Sequence, residues 1–365
     1  MSCLFVNHTN DFFGAERVLL KVMQASALSA SDVQVIEPSY RDRQDAFRSA
    51  VQKAGYPVLR LAYKNLGGSL TRSVLALLYN IPAVIRLCRL IKRENITCIW
   101  SNTSLCCLGI VAAKLTGVKH VWHIHEPAEK EHDYVPNLKI VYRSLFRYPR
   151  NTFVFVTREQ QTKWQSLYPS ISGRSRLIYT PADPYQRTRI KDSVCRFGYL
   201  GSWSKRKNIP MLIEAFEQLH AQYPDTQLLI ARNIGEDADR IYRMISRLPD
   251  PSSVCVEAFE QAQAFYDRID VLVLPSFSET WGLVAVEAMQ QGIATVLTQQ
   301  TALKEIAEDG VHTRYINPYD RHSLVEAMQQ MCDATYRNRI AQKGMEQVKK
   351  MDFDGQFVRQ IQELI

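Results

Sequence analysis

Two rounds of short apolar runs alternating with longer helix-period segments constrain this chain more than any other feature. The first round reads CLFVN, VQVIE, PVLRL, CIWSN, HVWHI and FVFVT. Between these runs lie helical stretches: ERVLLKVMQASAL, a long one from about Ser73 to Arg93, LCCLGIVAAKL and LKIVYRSLFRY. Runs that are apolar throughout suit strands buried on both faces, as in a parallel sheet covered by helices. The pattern stops at YTPADPYQRTRIKDS, which is rich in proline and polar residues. It restarts with VCRFGYLGS, QLLIA, VCVEAF, DVLVLPS and ATVLT, separated by further helical patterns. The expected fold is α/β, with two doubly wound, Rossmann-like parallel-sheet domains at residues 1–182 and 194–350. A linker is expected at 183–193 and a closing amphipathic helix at 351–365. Ligands are expected in a cleft between the domains, beyond the carboxyl ends of the strands.

The length of 365 residues suits two such domains. The net charge of +8 is unevenly shared. Residues 1–185 hold 24 basic and 13 acidic residues, while residues 186–365 hold 21 and 24. A basic first half points to an anionic partner: nucleic acid, phospholipid or a phosphorylated substrate. No nucleic-acid-binding motif accompanies the charge, so nucleic acid is not expected. The eight cysteines are scattered without CxxC spacing, which fits buried free thiols in a reducing compartment and no metal site. MSCLFVNHTN lacks the basic start and long apolar core of a secretory leader. SVLALLYNIPAVIRLCRLI is interrupted by Pro82 and carries Arg86 and Arg89, so it reads as an amphipathic helix rather than a span.

The stretch SETWGLVAVEAMQQG, directly after DVLVLPS, carries the most chemistry. A loop holding Glu279 follows a buried strand. Gly282 allows close backbone approach, and a helix is expected to start near Leu283. The first amides of that helix are unpaired and its dipole end is positive, so a phosphate can dock there. Glu279 in the loop and Glu287 about one turn into the helix can each accept hydrogen bonds from hydroxyls. Phosphate at the helix start with hydroxyl-bearing rings on either side describes a nucleotide sugar. An ordinary helix with acidic residues in its first turns accounts for the same pattern.

PSFSETWGLVAVEAMQQG resembles the Glu-x7-Glu segment of the retaining glycosyltransferases of family 4, which have the two-domain GT-B fold. The family commonly has Phe-Gly where Trp281-Gly282 stand here. The resemblance implies that Glu279 meets the donor sugar and Glu287 the ribose. Backbone amides around Thr280, Trp281, Gly282 and Leu283 would hold the diphosphate. FGAERVLL resembles the amino-terminal glycine-rich loop, placing Gly14 and Glu16 at an acceptor or diphosphate loop, with Phe13 in place of the first glycine. HIHEP puts His125 at the active-site histidine. LIYTPAD keeps only Asp183 of the interdomain motif. GSWSKRKNIPMLIEAF resembles the donor-phosphate motif: Lys207 fits its lysine, Ser202 stands near the place of its arginine, and Arg206 or Lys205 offers a substitute charge. Donor choice falls to the pocket around Ala258–Gln261, with Phe259 assigned to it.

The chemistry implied is hexosyl transfer with retention and without a metal or cofactor. The donor is a UDP- or GDP-linked sugar and the acceptor a glycan or lipid-linked glycan, in polysaccharide, lipopolysaccharide or glycolipid assembly. Lys207, a basic neighbour and the helix start would stabilise the leaving diphosphate. His125 would orient the sugar or its developing charge. The closing helix would pack back on the first domain. The changed glycine loop and absent arginine also fit a non-catalytic glycosyltransferase-like subunit that binds a partner transferase. Asp237–Asp239 and Asp352–Asp354 read as helix starts rather than metal sites. The basic, aromatic segment 137–150 suggests an anionic membrane surface, hence a cytoplasmic protein peripheral to the inner face of the plasma membrane.

Overall fold

The structure is a computed structural model that describes residues 1–39, 45–66, 69–126, 139–183, 188, 194–233, 235–259 and 261–365. Two compact units emerge: Met1–Thr180 together with Asp354–Ile365, and Pro181–Phe353. Most of the expected linker lies outside the described residues.

Among the described residues, unit 1 contains seven strands: β1 (Cys3–Val6), β2 (Val33–Pro38), β3 (Val58–Leu61), β4 (Cys98–Asn102), β5 (Lys119–Ile124), β6 (Asn151–Phe155) and β7 (Ser175–Leu177). They form one sheet in the order β3-β2-β1-β4-β5-β6-β7, every pair parallel. Successive residues of β1 feed opposite faces, as the two-residue strand period requires. Leu4 and Val6 enter one apolar layer, and Cys3 and Phe5 the other. The helices Gly14–Ala25, Ala46–Lys53 and Phe353–Leu364 cover the Phe5 face. Phe357, Ile361, Leu364 and Ile365 are buried there. Helices Leu70–Tyr79, Ile81–Arg93, Leu108–Thr116, Lys139–Phe146 and Arg158–Leu167 cover the other face.

The long helix expected from about Ser73 to Arg93 is two helices bent by 45°. Pro82 has no N–H to continue the ladder. Asn80 fixes the break: its side chain accepts from the Lys64 amide and donates to the Lys64 carbonyl, both at 2.8 Å. A second difference concerns the segment 137–150. Asn137 and Leu138 lie outside the described residues. Tyr142, Leu145, Phe146 and Tyr148 are core residues, with Tyr142 stacked on the buried Trp122. Ile140 is exposed and Val141 half-buried, beside exposed Arg143 and Arg147. The aromatic surface read as membrane-facing is therefore spent on packing, which removes about 1.5–3 kcal/mol of apolar exposure per large side chain.

Unit 2 contains β8 (Cys195–Tyr199), β9 (Thr226–Ala231), β10 (Val254–Glu257), β11 (Val271–Leu274), β12 (Ala294–Thr298) and β13 (Arg314–Ile316). Their order is β10-β9-β8-β11-β12-β13, again all parallel. Each sheet reverses its strand order once, between β1 and β4 and between β8 and β11. Such switch points open a crevice at the carboxyl ends of the strands. All eight cysteines are free thiols.

Candidate functional site

At the switch point of unit 2, two loops are stitched together. Lys205–Lys207 form a short 3-10 turn after β8. The following Asn208 is left-handed, at φ 54°, a conformation that asparagine tolerates better than most residues. Its buried amide donates to the Pro275 and Pro318 carbonyls at 3.3 and 3.0 Å, tying the turn to the loops after β11 and β13. The Phe277 amide donates to the Arg206 carbonyl at 2.9 Å, and the Arg206 guanidinium donates to the Ser278 carbonyl at 2.7 Å. Lys207 is thereby held against Glu279, and the two form an ion pair. Ser276 Oγ donates to the same carboxylate oxygen at 2.7 Å. The Glu279 amide reaches the Gln300 carbonyl at 2.8 Å, so the loop after β12 supports it as well.

Both partners are mostly buried, Lys207 at 15% and Glu279 at 12% side-chain exposure. Burial pushes the Glu279 carboxyl up. The charges of Lys207 and Arg206, with the bonds from Lys207 and Ser276, outweigh it and hold the group below the usual carboxylate range. Glu279 is thus a fixed carboxylate.

Four residues later the helix Leu283–Gln290 begins. Its cap is Gly282, at φ 70°, where an L side chain would be strained. No side chain among the described residues caps this end. The first amides that bond inward are those of Ala285 and Val286, both to the Gly282 carbonyl. The amides of Leu283 and Val284 precede them and have no acceptor in the helix. Glu287 is fully buried in this helix and accepts from the Tyr266 hydroxyl at 2.7 Å. Trp281 is 5% exposed, with its ring edge-on to Phe353, so it contributes backbone rather than ring to the loop surface. Thr280 and Leu283 are half-buried beside it. Phe259 sits after β10, edge-on to Phe265 and under the Arg268 guanidinium.

The Lys205 amide donates to Glu236 at 3.2 Å. Ser202, near the place of the missing arginine, shares a hydrogen bond with the Ser204 hydroxyl at 3.4 Å, and its carbonyl accepts from the Tyr199 hydroxyl at 2.9 Å. Gly235 lies so close to Trp203 that a Cβ would stand 2.2 Å from its carbonyl oxygen. Asp237 occupies the start of the helix Ala238–Ile245 but gives it no side-chain cap bond. Among the described residues, no three His, Cys, Asp or Glu side chains are placed to hold one metal ion.

Unit 1 gathers a different set at its own switch point. His125 follows β5, and its Nε2 lies 2.9 Å from Asn102 Oδ1 at the end of β4. The Asn102 amide donates to Asn7 Oδ1 after β1 and to the Ala15 carbonyl. The Asn102 oxygen therefore accepts, the His125 proton sits on Nε2, and Nδ1 keeps its lone pair. Burial, then the neighbouring His8, lowers the His125 pKa to about 3, so the ring is neutral. His8 Nδ1 lies 3.2 Å from Glu16 Oε1. Burial lowers His8 to about 4 and raises Glu16 to about 7. Glu16 also accepts from the Phe13 amide at 3.1 Å. Glu126 is raised by burial, against bonds from the Ser104 and His125 amides. His123, fully buried edge-on to Trp100, has no hydrogen-bond partner for either ring nitrogen among the described residues. Gly14 differs from its expected role: it is the first helical residue, without a left-handed φ, and a Cβ there would meet nothing within 4 Å. Asp183, retained from the interdomain segment, is buried to an intermediate degree.

Asn102, Asn208, Ser276 and Tyr266 carry these geometries and were not singled out from the sequence. Only Asn208 left a local signal, an asparagine directly before an Ile-Pro helix start.

Comparison with known proteins completes the assignment. The family model "Glycosyltransferase Family 4" matches residues 13–186, and "Glycosyl transferases group 1" matches residues 186–347. The chain belongs to the GT-B glycosyltransferases of the family-4 type. It is 25% identical over 169 residues to the lipopolysaccharide 1,2-N-acetylglucosaminetransferase of Salmonella typhimurium, covering 43% of this chain and 44% of that protein. It is 26% identical over 163 residues to the O-antigen chain mannosyltransferase B of Escherichia coli, covering 43% and 42%. The matches thus span under half the length of these curated relatives. Anabaena HepE, solved in complex with UDP-glucose, superposes with a TM-score of 0.78 at 20% identity, covering 100% of this chain and 97% of that one. WaaG, a glycosyltransferase involved in lipopolysaccharide biosynthesis, superposes with a TM-score of 0.73 at 14% identity, covering 99% of each chain.

Proposed function

We propose that this chain is a retaining, metal-independent glycosyltransferase that moves a hexose from a UDP- or GDP-linked donor to a glycan or lipid-linked acceptor. The observation that carries the reading is the Lys207–Glu279 pair set beside the uncapped helix start at Gly282. Lys207 and the free amides of Leu283 and Val284 would receive the diphosphate, and Arg206 would brace the loop. Glu279, a fixed carboxylate, would accept from sugar hydroxyls and Glu287 from the ribose. The acceptor hydroxyl attacks the face from which the nucleotide leaves, and the departing phosphate oxygen takes its proton. His125, neutral and with a free Nδ1 lone pair, suits acceptance from a sugar hydroxyl better than stabilisation of charge. The relatives' names, a lipopolysaccharide N-acetylglucosaminetransferase and an O-antigen chain mannosyltransferase, support a role in surface-polysaccharide assembly.

The test is a thermal-shift panel of nucleoside diphosphates and nucleotide sugars, with and without chelator, followed by turnover assays with the stabilising donor. Selective stabilisation by one base, indifferent to chelator and lost in Lys207→Ala and Glu287→Ala, supports the reading. A folded protein that no nucleotide stabilises would instead be a non-catalytic subunit, and the absent arginine near Ser202 would explain it.

A further inference from the structure

The helix pair Leu70–Tyr79 and Ile81–Arg93 has an inner face and an outer face of unlike character. Ala76, Ala83, Leu87, Leu90 and Ile91 face the core of unit 1. Outward stand Leu70, Val74, Leu75, Leu78, Ile81 and Ile85, between 43% and 61% exposed. On the first helix these fall at i, i+4, i+5 and i+8, a single side of a 3.6-residue helix. Isolated exposed apolar residues are ordinary, but six on one bent surface are a patch. The charge along this segment has one sign. From Lys64 to Lys92 the chain has five basic residues and no acidic one. Arg72, Arg86, Arg89 and Lys92 are exposed.

We propose that this outer face docks unit 1 onto an anionic lipid bilayer. The six apolar side chains enter the boundary between headgroups and acyl chains, and Arg72, Arg86 and Arg89 meet lipid phosphates. The pair is long and apolar enough by composition for a broken span, yet it is bent by 45° and its inner face is core. It therefore lies on the bilayer rather than in it. A second copy of the chain fits less well, because a two-fold contact sets each patch against its own image and brings like charges together. The helix Lys139–Phe146 covers the same face of the sheet, so exposed Arg143 on it and Arg147 just after it add to the field while its aromatic residues stay in the core.

The full chain would be sedimented with vesicles of phosphatidylcholine alone and of phosphatidylcholine mixed with phosphatidylglycerol, at low and high salt. Binding to the mixed vesicles, weakened by salt, is expected. It should fall by about tenfold or more in Leu75→Glu/Leu78→Glu and in Arg86→Glu/Arg89→Glu, and by less in Arg143→Gln/Arg147→Gln. These side chains are exposed, so circular dichroism should show the variants folded. A protein that ignores both vesicle types overturns the proposal, as does binding that the first two variants leave unchanged. A dimer on gel filtration that Leu75→Glu/Leu78→Glu dissociates, with vesicle binding intact, assigns the patch to a second copy instead. None of these outcomes depends on nucleotide binding or turnover, so they stand apart from the glycosyltransferase reading.

Discussion

The two units use one fold to make opposite electrostatic environments at their switch points. In unit 2, Lys207 and Glu279 are both charged and hold each other in place. In unit 1, burial drives His8, His125 and Glu16 towards their neutral forms, and asparagines rather than ions connect the strand ends. A parallel sheet supplies the position of a site, and the loops decide whether that position is charged or merely polar. A charged pocket suits a diphosphate. A neutral, hydrogen-bonding pocket suits hydroxyl groups, for which a fixed charge would add a desolvation cost.

The sharpest way to break this comparison is to remove the cation. Lys207→Ala should lower turnover with the donor by about 10²–10³-fold, a typical loss for one charge-stabilising group, as read in initial rates. A loss of only a few-fold would move the role to Arg206 or Lys205. The neutral side is tested by pH. Glu16 has a folded pKa near 7, above its unfolded value, so the folded state binds the proton more tightly. Its contribution to stability therefore falls as pH rises from the unfolded pKa through about 7. His8 and His125, with folded pKa values of about 4 and 3, act the other way and cost stability as pH falls below their unfolded value near 6.5. Glu16→Gln should match wild type at about pH 4 and be more stable by about 3 kcal/mol at about pH 8. Denaturant melts at the two pH values check it, and equal differences would mean Glu16 is ionised throughout.

Glycine provides a smaller contrast. Gly235→Ala should cost about 1–3 kcal/mol, because its Cβ meets the Trp203 carbonyl, whereas Gly14→Ala should be neutral or slightly stabilising. Thermal midpoints of the two variants decide it. The smallest loss expected is that of Tyr266→Phe, about 1 kcal/mol, since Glu287 loses one hydroxyl donor. A larger loss of nucleotide affinity than of stability would show that Tyr266 aims the carboxylate as well as supporting it.

Much of the fold was legible because the central strands are apolar throughout and the helices between them are periodic. β7 and β13 were not, since three residues carry no period. Pro82 was visible, yet the bend at Asn80 depends on the Lys64 backbone sixteen residues away. In the site, Gly282 and the helix start at Leu283 could be read from local composition. The bond from Tyr266 to Glu287 could not, because it joins different elements. Nor could the charge state of His125, since desolvation is set by what surrounds a residue and not by its neighbours in the chain. Gly14 shows the converse: a glycine in the expected loop need not be there for its backbone freedom.

The helix Phe353–Leu364 has a consequence for the order in which the protein is made. Phe357, Ile361 and Leu364 complete the apolar layer that Cys3 and Phe5 begin, and Gln362 donates to the Ala25 carbonyl across 337 positions of chain. A ribosome releases all of unit 2 before these residues emerge. Unit 2 can therefore mature during synthesis while unit 1, started first, waits with one face of its sheet partly bare. That face is most open to aggregation after β1 to β7 have emerged, and it is covered once Phe357, Ile361 and Leu364 reach it.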